Sequence, residues 1–144
     1  MTPSAEAARR WVDAWARGWA THDVELIASI YADDAVQVSA FFRAPQRPAE
    51  YAAWAFSEEE GSEVWIAEPV VDGDRAAVAW WAISRLLDGR VTTLAGVSTM
   101  RFGDDGLVVE QRDYWNEAED TALAPPDDWG PVAAHASAPG QFTE

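Results

Sequence analysis

From about residue 63 onward, four apolar runs follow one another, three of them ended by turns rich in Asp and Gly. Residues 63–71 end at Asp72-Gly73-Asp74, 75–87 at Asp88-Gly89, and 90–102 at Gly103-Asp104-Asp105-Gly106; 107–116 is the last run. Asp-Gly between apolar segments is a strong short-range hairpin signal, because tight hairpin turns need positive φ. The second half of the chain is therefore expected to be a consecutive antiparallel meander.

The first half has a different period. Trp11, Trp15 and Trp19 recur every four residues beside Ala8 and Val12, which is one apolar stripe on a helix over 4–20 with Ser4 placed to cap it. Asp23 is placed to cap a second helix over 24–31, with Leu26, Ile27 and Ile30 inward. Residues 35–42 alternate as a strand, with Val36, Val38 and Ala40 on one face and Gln37, Ser39 and Phe41 on the other. Pro48 suits the first turn of a third helix reaching about Glu60, with Tyr51, Trp54 and Ala55 as its buried stripe. Glu58-Glu59-Glu60 puts negative charge at that helix's C-terminus, where it is disfavoured, so this end is expected to fray. The order reads as an α+β fold: three N-terminal helices packed on a strongly curved antiparallel sheet. Residues 1–117 form the domain, and 118–144 is a Pro-, Ala- and Asp-rich tail in which Trp129 is a candidate anchor.

Composition narrows the chemistry. There are 25 acids against 10 bases, a net charge of −15, so neither nucleic acid nor an anionic membrane surface is an expected partner. Every base is Arg; without Lys there is no Schiff base and no P-loop. Without Cys there is no thiol nucleophile, and two His, His22 and His135, cannot build a zinc cluster from one chain. No cofactor or metal is expected. The N-terminus is not a basic region followed by an apolar one, so the cytoplasm is the expected location. Nine Trp, five Phe and three Tyr are enough to line a cavity as well as a core, and such cavities suit small molecules.

Several segments resemble the NTF2-like superfamily, within it the SnoaL-like and limonene-epoxide-hydrolase-like group. Trp15, Trp19 and His22-Asp23, then Ile30-Tyr31-Ala32-Asp33-Asp34-Ala35-Val36, Gly96-Val97, and Gly106-Leu107-Val108-Val109-Glu110-Gln111-Arg112-Asp113-Tyr114-Trp115 fall in the family's order. The likeness runs over about residues 6–117. It implies a cone-shaped fold with an internal cavity, and a homodimer.

Asp113 is the leading candidate for chemistry. Strand alternation places Leu107, Val109, Gln111, Asp113 and Trp115 on one mostly apolar face. An acid there loses solvation and becomes usable as a general base or acid near neutral pH; the alternative is an Asp paired with Arg. The resemblance implies the same role, since the epoxide-hydrolase branch uses the matching Asp. Gln37 and Ser39 fall where that branch holds its water. Its remaining Arg and Asp fall here on Trp80 and Ala82, so the triad is broken and epoxide hydrolysis is not expected. The resulting expectation is a polyketide-cyclase- or isomerase-like enzyme. Asp113 is the base on a small apolar or aromatic molecule undergoing cyclisation, isomerisation or dehydration. Gln37 and Ser39 orient it, and Trp15, Trp19, Tyr31, Tyr51, Trp54, Trp80 and Trp115 line the site. A non-catalytic ligand-binding or dimerisation module is the alternative.

Overall fold

A computed structural model describes residues 1–40 and 42–138. Phe41, assigned from sequence to the face of Gln37 and Ser39, lies outside the described residues, as do 139–144 of the tail.

Helix α1 spans Pro3–Thr21 and buries Ala7, Ala8, Trp11, Val12 and Trp15. Its cap is Thr2, not Ser4: Thr2 Oγ1 accepts from the Ala5 N–H at 3.0 Å, and Pro3 starts the helix one residue earlier than expected. Asp23 caps the short α2, Val24–Ala28, accepting from the Leu26 N–H at 3.0 Å. Strand β1 follows at Tyr31–Ser39. Its apolar and polar faces are the reverse of the usual order. Val36 is exposed, whereas Gln37 and Ser39 are 1% and 2% exposed.

Helix α3 covers Pro48–Phe56 and stops four residues short of the expected end. Its buried face is Pro48, Ala52 and Phe56; Tyr51 and Ala55 are half-buried and Trp54 is 45% exposed. The stripe expected at Tyr51, Trp54 and Ala55 is thus the neighbouring face: Tyr51 and Ala55 pack against the edge of the core, and all three border a cavity. Strand β2 begins at Glu59 and runs to Ala67, so the acidic triplet passes from the end of the helix into the sheet.

The single strand expected over 63–71 is divided: β3 (Val70–Asp72) is separate from β2, and both pair antiparallel with β4 (Arg75–Leu86). Strands β5 (Val91–Phe102) and β6 (Val108–Glu119) follow as expected. Gly73, Gly89 and Gly106 all have positive φ in the hairpin turns. A seventh strand, β7 at Val132–Ser137, comes from the tail segment and pairs antiparallel with β2. The sheet order is β1-β6-β5-β4-β2-β7, with β3 beside β4. The pairings are antiparallel except β1 with β6, which is parallel and sets Ser39 opposite Asp113. A register shift near Arg101 and Phe102 makes Val108, not Leu107 or Val109, the buried residue at the start of β6, then returns Gln111 and Asp113 to the interior.

The curved sheet and the helices enclose one core containing Trp11, Trp15, Ile27, Val64, Ile66, Val78, Trp80 and Phe102. No helix among the described residues is long and apolar enough to cross a membrane. Gly96 on β5 lies against β6 at Trp115. A Cβ there would stand 2.6 Å from Trp115 Cβ and closer still to the Tyr114 carbonyl oxygen. Both obstacles sit at the backbone and cannot rotate away. Gly96→Ala is expected to cost about 1–3 kcal/mol by overpacking, read as a lower urea midpoint; an unchanged midpoint would show that the two strands separate freely at this point.

Candidate functional site

A cavity of about 350 Å³ opens between the helices and the concave face of the sheet, within the range of small-molecule sites. Its walls are largely aromatic: Trp11, Trp15 and Trp19 from α1, Tyr51 and Trp54 from α3, and Trp80 and Trp115 from β4 and β6. The rings touch in series, Trp11–Trp15 at 5.9 Å, Trp15–Trp19 at 6.3 Å and Trp19–Trp80 at 5.6 Å between centroids. The four-residue period of α1 that buries these rings therefore also builds one side of the cavity.

Asp113 lines this space and is 5% exposed. Its Oδ1 accepts from Ser98 Oγ at 2.6 Å and from Gln111 Nε2 at 2.9 Å; its Oδ2 accepts from Gln37 Nε2 at 2.8 Å. All three donors are neutral, and no Arg or His forms an ion pair with it among the described residues. Gln111 is held from behind, its Oε1 accepting from Trp11 Nε1 at 2.8 Å and from the Tyr31 hydroxyl. Because Gln37 gives its amide N–H to Asp113, its own Oε1 faces the other way. That oxygen has no partner among the described residues, although the side chain is buried and lines the cavity.

The other residues singled out from sequence divide into two groups. Ser39 lines the cavity and donates to the Tyr51 hydroxyl at 2.8 Å, while Trp115 Nε1 points at Ser39 Oγ from 3.4 Å. Tyr51 accepts that bond, which leaves its own proton free to donate. Trp15, Trp19, Trp54, Trp80 and Trp115 all line the space, Trp54 from the exposed rim. Tyr31 does not. Its hydroxyl is spent between Trp15 Nε1, at 2.8 Å, and Gln111, and it supports the site from behind the wall.

Sequence reasoning missed Glu59. The side chain is 8% exposed and lines the cavity. Its carboxylate accepts from Trp19 Nε1 at 3.1 Å, Ser62 Oγ at 2.9 Å and Ser84 Oγ at 3.1 Å, with His22 Nε2 3.4 Å away. Within three consecutive glutamates nothing marked the middle one as inward-facing; a strand starting at Glu59, with Ser62 and Ser84 beside it, supplies the reason. Ser98 was missed as well, being one hydroxyl among several on β5. Among the described residues no group of three or more His, Cys, Asp or Glu could hold a metal ion.

Burial has a measurable effect on the tyrosines. Desolvation pushes the Tyr51 phenol up to about 12, the Ser39 bond opposing it weakly, and burial raises Tyr31 further still. In the unfolded chain both would ionise near 10. The folded state therefore keeps its protons longer, and the contribution of these groups to stability is fully present below pH 10 and is lost as pH rises through about 12. For Tyr51 alone the slope is about 1.4 kcal/mol per pH unit at its steepest. Urea midpoints should drop across that window, and drop less in Tyr51→Phe; parallel losses in the two proteins would contradict the assignment.

A family model for the SnoaL-like domain matches residues 8–111. No match is found among curated proteins. Among solved structures the chain is similar to an NTF2-like protein from Exiguobacterium sp. 255-15, at 18% identity and TM-score 0.64, covering 76% of this chain and 98% of that one. It is similar to a protein of ketosteroid isomerase-like fold from Catenulispora acidiphila, solved in complex with trimethylamine, at 17% identity and TM-score 0.63, covering 72% and 82%. It is also similar to PrhC from Penicillium brasilianum, at 16% identity and TM-score 0.65, covering 79% and 80%. At such identities the likeness is one of fold. The helices, the curved sheet, the aromatic cavity and the long family match together place this chain in the SnoaL-like domain family, within the NTF2-like superfamily.

Proposed function

We propose that the protein catalyses proton transfer at carbon next to a carbonyl, on a small, mostly apolar molecule held in the cavity. The observation that carries this reading is a buried carboxylate, Asp113, lining an aromatic cavity and free of any ion-pair partner among the described residues. Asp113 Oδ2 carries only one protein donor, Gln37, so it has room for a substrate proton. In the step, the substrate C–H bond breaks, the proton moves to the carboxylate, and the electron pair passes into the carbonyl as an enolate. The Tyr51 hydroxyl, kept protonated by its burial, donates to the oxygen that becomes negative. Return of the proton at another position gives isomerisation; attack of the enolate on a second carbonyl gives cyclisation; loss of a β-hydroxyl gives dehydration.

The second reading, a cavity that only binds, is supported by the three donors already on Asp113. Exchange of α-protons for deuterium in D₂O separates the two, because it needs only the first half of the reaction. Across a panel of cyclic ketones followed by proton NMR, the enzyme reading expects saturable exchange above the protein-free rate, lost in Asp113→Asn. A panel whose members bind without exchanging would favour the carrier. That the Catenulispora structure holds trimethylamine supports a ligand cavity in this fold.

A further inference from the structure

The cavity lining carries more acids than bases. Of its charged lining residues, Glu58, Glu59, Asp113, Glu117 and Glu119 are acids and only Arg43 and Arg90 are bases. Arg90 is already engaged by Asp88 at 2.8 Å. Arg43 lies exposed at the rim, its guanidinium 5.0 Å from the Trp54 ring and 5.7 Å from the Trp115 ring. Neither base is paired with the two buried carboxylates.

Those two carboxylates are joined by the aromatic wall. Glu59 accepts from Trp19, Trp19 meets Trp80 edge-to-face at 5.6 Å, Trp80 Nε1 donates to Ser98 at 2.9 Å, and Ser98 donates to Asp113. An anion would meet both carboxylates here, with His22 Nε2, 3.4 Å from Glu59, as the neighbouring group able to carry a balancing charge. A neutral ligand would leave Asp113 without an ion-pair partner among the described residues. A cation gains from both carboxylates and from the ring faces, an attraction already displayed by Arg43 on Trp54 and Trp115. Gln37, 1% exposed, adds a feature that charge alone does not: its Oε1 has no partner among the described residues and can accept a donated hydrogen bond.

We infer that the cavity's ligand carries a protonated amine. Its N–H donates to Gln37 Oε1, its charge is balanced by Asp113 and Glu59, and its apolar body lies against the tryptophans. The inference rests on the reading of this cavity as the ligand site, and it names the substrate class. Glu59 is then the counter-charge that remains when Asp113 takes up a proton.

Three probes of one shape test it: benzylammonium, benzyl alcohol and benzoate, titrated at pH 7 against tryptophan fluorescence. Benzylammonium is expected to bind at least tenfold more tightly than benzyl alcohol, and benzoate more weakly than either. Glu59→Gln should reduce benzylammonium binding tenfold or more and leave benzyl alcohol binding unchanged. Asp113→Asn, the second variant, should also reduce ammonium affinity, and circular dichroism establishes that each variant is folded. Equal affinity for ammonium and alcohol, or preference for benzoate, overturns the inference and leaves the proton-transfer reading standing. Tight, Glu59-dependent ammonium binding without exchange of any ketone does the reverse. Binding of none of the three overturns the inference too.

Discussion

In an Asp113→Asn protein, α-proton exchange is expected to fall by about 10²–10⁴-fold, the usual contribution of a positioned general base, while the fold survives. The second half of this statement follows from the local hydrogen bonds. The Asn oxygen can still accept from Ser98 and Gln111, as Oδ1 does now. Its new amide N–H would face the Gln37 N–H, two donors in opposition. Gln37 can resolve this by turning its amide over, because its Oε1 has no other partner among the described residues to lose. The stability change should therefore stay within about 1 kcal/mol. A large loss of exchange with an unchanged urea midpoint is the expected pair of results. If exchange persists at the wild-type rate, the base is some other group.

Gln111→Leu is expected to have the opposite character, with a stability loss of about 3–5 kcal/mol. The removed amide joins three buried side chains: it accepts from Trp11 and Tyr31 and donates to Asp113, whose other bonds run to Ser98 and Gln37. Leucine fits the apolar surroundings but leaves the Trp11 N–H and the Tyr31 O–H buried without an acceptor. Each orphaned group costs about 1–3 kcal/mol. Set against a typical domain stability of about 5–15 kcal/mol, that is a substantial fraction. Chemical denaturation reads it directly, and a midpoint close to wild type would mean that the network relaxes around the gap.

The inward position of Asp113 was legible because strand parity is robust over a few residues, even though a register shift upset it at Val108. The hairpin series was legible because each turn carries its own Asp-Gly signal. Other features depended on distant neighbours. The polar inner face of β1 contradicts its hydrophobic pattern, and only the parallel partner strand, bringing Asp113 opposite Ser39, explains why Gln37 and Ser39 point inward. How deeply the α3 stripe is buried was not legible, because a ring against an empty space and a ring against side chains leave the same trace in a sequence. Glu59 was invisible for a comparable reason: its partners Trp19, Ser62 and Ser84 come from three elements.

The tail adds a feature that periodicity did not announce. Residues 132–137 pair with β2 along its outer side, where His135 stacks on Trp65 at 4.7 Å and reaches Glu63 Oε2 at 2.7 Å. Nearer the tail's start, Trp81 Nε1 donates to the Leu123 carbonyl at 2.7 Å and its ring meets Trp129. Without that strand, β2 would present a row of bare amides and carbonyls to solvent, a template on which other chains can polymerise. The segment acts as a selvedge: it takes over the margin of the fabric, moving it from the nine residues of β2 to the six of β7.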